Sequence, residues 1–343
     1  MLPEPASARA PTSVVVGIDE AGYGPLLGPL VVSAVAFDVP SDILKALSDP
    51  AVGPDLWALL RASVTAKRGK RDSRLAVADS KKLHGKGGDG DKAILLLERA
   101  TLTFLSLAGK PPATLGGLLD RLSPGVRINL DACPWYQNLD LPLPIAASNA
   151  DVSLQHNSLA TDLLETGVRF RGAWSEVLPE RQFNERVGAT RNKAVVLFGL
   201  TARLMQRVAD SVGPRSLRIW VDRQGGRTGY RRPLMRAFEG AELEILEERK
   251  ERSGYVLKHA QASWAVRFVT GGESHHLPIA LASIFSKYIR ELLMVCFNRY
   301  WVARVPGLRP TAGYYADGQR FLADIGDVLR RDGLAREHLV RAL

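Results

Sequence analysis

An Asp-Glu pair, Asp19-Glu20, sits where the apolar run Val14-Val15-Val16-Gly17-Ile18 meets a glycine-rich turn, Gly22 to Pro29. Adjacent acids at the end of a buried strand repel each other and are poorly solvated, and a divalent cation is the usual offset. In a regular strand the two side chains point to opposite faces. Gly22 and Gly24 allow the chain to bend so that both acids turn toward one site. A second acid, Asp222, ends the apolar run Ile219-Trp220-Val221, and a third, Glu273, follows another such run and the pair Gly271-Gly272. Acids at three strand ends suit a two-metal hydrolase, in which oxygen ligands converge on two Mg²⁺ ions about 3.5–4 Å apart. Taken singly, the same residues also allow simpler roles: a solvated Asp-Glu at a strand end, and a turn-initiating Asp ahead of Gly225-Gly226. Histidines number only six, and no HExxH or His/Cys cluster occurs, so zinc is a poor fit.

Groups suited to phosphates lie elsewhere in the chain. Ala78-Asp79-Ser80-Lys81-Lys82-Leu83 offers two cations beside a serine, and Ser283 and Lys287 fall at i and i+4 of one helical face. Serine and lysine contacts to phosphate set register on a duplex without reading its sequence. A solvated helix surface accounts for the same pattern.

The elements that must position these groups read in outline. Val14–Asp19 and Leu30–Phe37 form a β-branched strand pair joined by the glycine-rich turn. Val168–Val177 alternates as a strand; Ser216–Asp222, Glu242–Glu247 and Trp264–Val269 read as further strands. Helical spacing covers 41–65 (marked by Leu44, Leu47, Leu56, Leu59 and Leu60), Ala93–Leu107, Asn192–Val208 and Pro278–Tyr300. It returns over Asp317–Leu343, broken at Gly326 and Gly333. Residues 66–74 form a basic loop, and 84–90 are too rich in glycine for regular structure. From about 110 to 165 the pattern weakens among six prolines, as an inserted subdomain or long excursion would. Strands first paired by short turns and later separated by helices give a mixed α/β sheet flanked by helices.

Composition bounds the answer. The 343 residues are 46% apolar and 24% charged, which excludes disordered, collagen-like and coiled-coil classes. The formal net charge of +10 favours an anionic partner, commonly nucleic acid, although a merely soluble basic protein fits the charge equally well. Two cysteines, Cys133 and Cys296, build neither a disulfide framework nor a zinc site, which fits the reducing cytoplasm. No run of 18 apolar residues occurs, so no membrane span is expected. Met1 to Ser13, with three prolines, reads as a loose tail and not a signal peptide.

Four segments, in order, resemble the type 2 ribonucleases H, the ribonuclease HII family. GIDEAGYGPLLGPLVVSAV resembles its opening strand, Asp-Glu, Gly-Arg-Gly-Pro turn and second strand. ADSKKL at 78–83 matches its Asp-Ser-Lys-Lys-Leu segment, and WVD at 220–222 resembles the strand carrying a third catalytic Asp. PIALASIFSKYIRELLM at 278–294 resembles its Ala-Ser-Ile-x-Ala-Lys-x-x-Arg-Asp helix. The likeness covers roughly 14–83 and 168–325 but not most of 108–165.

The resemblance implies a ribonuclease H-like fold over 14–325, interrupted at about 108–165 and followed by a helical C-terminal region, 326–343. It implies metal-dependent endonucleolytic cleavage of RNA/DNA hybrids or ribonucleotide-containing duplex DNA; beside it, a monomer in the cytoplasm is the expectation. By position, Asp19, Glu20, Asp222 and Glu273 become the catalytic carboxylates holding two Mg²⁺ or Mn²⁺ ions; Glu273 stands where the family has Asp, ten residues before Ser283. Gly22, Tyr23 and Gly24 match the turn that reads the ribose 2′-hydroxyl, with Tyr23 in place of arginine. Lys81, Lys82, Ser283 and Lys287 become phosphate contacts, and Tyr314 the residue packing on the sugar beside the scissile phosphate. Two rivals stand beside this: a non-catalytic hybrid-binding protein on the same fold, and a structure-specific DNA nuclease.

Overall fold

The three consecutive valines at 14–16 open β1 (Thr12–Ala21), which pairs antiparallel along its whole length with β2 (Leu30–Pro40). A computed structural model of the chain describes residues 12–47, 52–67, 69, 72–80, 83 and 90–342. The expected N-terminal tail lies outside these up to residue 11, whereas Thr12 and Ser13 already belong to β1. Lys81, Lys82 and residues 84–89 also lie outside the described residues.

Two tiny strands, β3 (Val64–Thr65) and β4 (Leu75–Ala76), form a separate ladder. The main sheet has seven strands in the order β5-β2-β1-β6-β9-β8-β7. Its remaining members are β5 (Arg169–Leu178), β6 (Leu217–Asp222), β7 (Glu242–Glu248), β8 (Arg252–Lys258) and β9 (Ser263–Val269). β1, β6 and β9 run parallel, and the other pairings are antiparallel, so the sheet is mixed as expected.

Helices cover both faces. Val15, Val31, Val35 and Trp220 point to the face packed by the long helix Leu277–Val302, while Val14, Val16, Ile18 and Ile219 point to the face packed by the helix Lys193–Val212. Burial on both sides explains why β1 and β2 are apolar almost throughout instead of alternating. The long helix comes unusually close to β1 at Gly17, where a Cβ would lie 2.1 Å from the Pro278 carbonyl carbon. The outer strand β7 carries Glu242, Glu244, Glu247 and Glu248, charges that discourage edge pairing.

Several elements differ from the sequence expectation. The single helix over 41–65 is two short ones, Ser41–Lys45 and Leu56–Leu59, followed by β3. Between them Gly53 adopts φ +76° against the Trp220 ring, a backbone conformation that ends regular helix. The helix Glu180–Thr190 and strand β8 had no clear signal: charged residues interrupt the helix pattern, and β8 has only three apolar residues in a row after Ser253-Gly254. The proline-rich stretch is largely helical, with Leu115–Leu122 and an 18-residue helix, Asn149–Thr166. It shares one core with the sheet: the Trp135 ring packs on Phe297 and Trp301 of the long helix. Cys133 and Cys296 are both buried and free.

Candidate active site

β1 and β6 are parallel with Ile18 beside Val221, so the next residues, Asp19 and Asp222, lie side by side on the face covered by the long helix. Neighbouring strands stand about 4.8 Å apart. Asp222 pairs in register with Val269, the last residue of β9. The turn that follows returns over the sheet, and the Gly272 N–H donates to Asp222 Oδ1 at 2.7 Å. Glu273 is the next residue, just ahead of the long helix. Three adjacent parallel strands thus deliver acids to one edge of the sheet.

Asp19 is nearly buried, at 6% exposure. Its carboxyl is held well above the usual carboxylate range, first by burial and then by the charges of Glu20, Asp222 and Glu273, while a hydrogen bond from Ser283 opposes the rise. All four sequence-selected acids therefore share one electrostatic neighbourhood. Ser286 Oγ donates to the Asp19 carbonyl at 3.0 Å, which ties β1 to the long helix beneath the acid.

Glu20 is placed differently from the expectation. β1 stays regular through Ala21, so Asp19 and Glu20 retain opposite faces, and the bend permitted by Gly22 begins only after the pair. Glu20 acts electrostatically on Tyr23 and Tyr230, on the side of the Lys193–Val212 helix.

Among the described residues, no three His, Cys, Asp or Glu side chains form a ready ligand cage. The donor chemistry nevertheless fits a hard divalent cation: Asp19 and the three carboxylates within its electrostatic reach, with no thiol or imidazole among them.

Ser283 stands at the foot of the site, with its Oγ 3.0 Å from Ser80 Oγ. That contact brings the 78–83 segment to the acids, although Lys81 and Lys82 themselves are outside the described residues. Lys287 is engaged with Glu291, at 2.7 Å.

The turn after β1 is held from several sides. Gly22 has φ +89°, and a Cβ there would meet the Pro29 carbonyl oxygen at 2.4 Å, so glycine is required. Nothing crowds a Cβ at Gly24. Arg341, 3% exposed, donates to the carbonyls of Gly22 and Tyr23, and Arg290 donates to the Leu27 and Ala312 carbonyls at 3.1 Å each. The Gly28 N–H donates to Glu180 Oε1 at 3.1 Å, and the Tyr136 hydroxyl donates to the same oxygen at 3.0 Å. Leu26 and Leu27 donate to the Gly313 carbonyl, which anchors the neighbouring, 55% exposed Tyr314 beside this turn. Lys193 lies 5.2 Å from the centre of the Tyr23 ring, and Arg227 also acts on Tyr23 electrostatically, so two cations flank this aromatic residue.

Sequence reasoning missed Arg341, Glu180 and Ser80 as members of this assembly. Arg341 is 319 residues from Gly22, and no local pattern marks such a partner. Ser80 lay within a recognised motif at 78–83, the available signal, whereas its contact to Ser283 belongs to the fold.

The fold and the acid-bearing edge define a mixed α/β protein whose seven-stranded sheet is flanked by helices. The chain is similar to ribonuclease HII of Gluconobacter oxydans, with 35% identity over 107 residues, 31% of this chain and 47% of that protein. It is also similar to ribonuclease HII of Paraburkholderia xenovorans, with 48% identity over 44 residues, 13% of this chain and 18% of that protein. The chain thus spans less than half the length of the curated relatives it matches. A solved structure of Bst-RNase HIII in complex with Mn²⁺ aligns with 98% of this chain and 68% of its own, at TM-score 0.40 and 15% identity. No family model matches.

Proposed function

We propose that the chain is a metal-dependent endonuclease acting on RNA, or on single ribonucleotides, within DNA-containing duplexes. The observation that carries this reading is the parallel register placing Asp19 beside Asp222, with Glu20 and Glu273 close enough to act on Asp19. The catalytic unit would be 14–325, with the 108–165 stretch built into its core and 326–343 contributing Arg341.

Asp19, Glu20, Asp222 and Glu273 would hold Mg²⁺ or Mn²⁺. Two such ions, when bound, lower the pKa of an attacking water and neutralise charge on the departing 3′-oxygen. The chain's own groups prepare the ligands: Ser283 fixes the Asp19 carboxylate, and the Gly272 N–H fixes one oxygen of Asp222. The Gly22–Gly24 turn, braced by Arg341, offers main-chain groups to the ribose 2′-hydroxyl, the group that separates RNA from DNA. Tyr314 would pack on the sugar, and Lys81, Lys82, Ser283 and Lys287 would line the phosphate path; Lys287 must exchange Glu291 for phosphate to do so.

Three duplexes test the reading: all-DNA, one embedded ribonucleotide, and a ribonucleotide tract, each with Mg²⁺ or Mn²⁺. Cleavage of the last two and not the first is expected. Asp19→Asn should lower the rate by more than about 100-fold while hybrid binding persists, since a direct ligand matters more than the groups that orient it. Binding without cleavage by the wild-type chain would leave the hybrid-binding rival, and cutting of branched all-DNA substrates would leave the DNA nuclease.

A further inference from the structure

A cavity of about 580 Å³ opens on the far side of the Tyr23 turn from the long helix, between the start of the Lys193–Val212 helix and the segment 227–237. Its floor is apolar, made by Val195, Phe198 and Pro233; its rim carries Arg227, Arg231, Arg232 and Arg236. Arg231, Arg232 and Arg236 are exposed, and among the described residues none of the four rim arginines forms an ion pair with a carboxylate. Glu248 also lines the cavity, but it is taken up by the Tyr255 hydroxyl.

Four arginines around an apolar floor are not explained by folding. Clustered like charges repel, and an exposed apolar floor leaves surface in water. Guanidinium groups grip phosphate bidentately, and apolar or aromatic surfaces accept the face of a base. A paired duplex offers only phosphates to such a site, because its bases face each other; an unpaired nucleotide offers both. The cavity is within the usual size range for a bound small group.

Position ties this cavity to the acid edge. The segment leaves β6 directly after Asp222, and its path is fixed by Gln224, whose N–H donates to the Tyr230 hydroxyl at 3.1 Å. Arg227 lies over the Tyr230 ring at 5.7 Å and acts on Tyr23. A strand passing Tyr23 meets Arg227 next and then the cavity.

We propose that this cavity is a binding site for an unpaired nucleotide of the substrate strand, with phosphate on Arg231, Arg232 and Arg236 and the base against Val195 and Phe198. The idea rests on the nucleic-acid reading above and adds a preference for single-stranded tails next to the duplex.

The test uses the full chain and fluorescence anisotropy in EDTA, so that binding is read without cleavage. Its ligands are a blunt RNA/DNA hybrid and the same hybrid with a three-nucleotide tail on either strand and end. One tailed form should bind about tenfold tighter than the blunt one. Arg231→Ala/Arg232→Ala/Arg236→Ala should erase that gain while leaving blunt-hybrid affinity within about twofold and blunt cleavage unchanged. Val195→Glu, on a half-exposed first-turn position, should erase the gain without removing any arginine. The site is overturned if no tail tightens binding, or if the triple variant weakens blunt and tailed forms equally. A tail gain in a chain that cleaves nothing would sink the nuclease reading and keep the cavity; blunt cleavage with no tail gain does the reverse.

Discussion

At the scale of single residues, the site and its surroundings contain acids in two different circumstances. Asp19 is pushed up by burial and by three neighbouring acids. Glu180 is pushed up to about 7 by burial alone, with the hydrogen bonds from Gly28 and Tyr136 opposing. Its Oε1 accepts both bonds while Oε2 has no hydrogen-bond partner among the described residues, an arrangement that suits a protonated acid. Between pH 4.5, its ordinary value, and about 7, the folded chain keeps this proton while the unfolded chain loses it. Stability should therefore fall as pH rises across that window, by up to roughly 3 kcal/mol, and level off on either side. Glu180→Gln should flatten that slope; urea denaturation of both proteins from pH 4.5 to 8 measures it. An identical slope in the variant would assign the pH dependence to other groups.

At the scale of elements, two joints matter most. The first is the contact of β1 with the long helix at Gly17, where there is no room for a methyl group against Pro278 and Ile279 backbone atoms. Gly17→Ala should cost about 3 kcal/mol or more and shift the helix that carries Ser283, lowering cleavage as well as stability. Denaturant melts paired with turnover at low temperature check both, and a variant of wild-type stability would mean that the helix can withdraw freely. The second joint is Arg341 on the Gly22 and Tyr23 carbonyls. Arg341→Gln leaves those acceptors poorly satisfied, a loss of about 1–3 kcal/mol. Because it loosens the turn and not the acids, it should reduce the preference for ribonucleotide-containing over all-DNA duplex more than it reduces affinity. Equal loss on every substrate would make Arg341 a purely structural residue.

At the scale of the whole molecule, the +10 charge is the property that reaches farthest. Binding to any duplex should weaken steeply with salt as condensed counterions are released. Lys81→Ala/Lys82→Ala should weaken binding to all duplexes alike and reduce the log–log salt slope by roughly 2. Anisotropy titrations over a salt series read the slope directly, and no change in it would place both lysines outside the phosphate path. No helix among the described residues is long and apolar enough to cross a membrane.

The sequence by itself determined the acids and the strands that carry them. Runs such as Val14-Val15-Val16 and Ile219-Trp220-Val221 are local signals, and an acid at the end of each is visible without a fold. It also determined the mixed sheet, since the short link between β1 and β2 forces antiparallel pairing and the later helices permit parallel neighbours. Tertiary structure decided what depends on register and on distant partners. It set Asp19 beside Asp222, kept Glu20 on the opposite face, drew Arg341 back to Gly22, and folded the proline-rich stretch into the main core. The reason is physical. Periodicity encodes which face of an element is buried, whereas hydrogen bonds between groups hundreds of residues apart leave no trace in either neighbourhood.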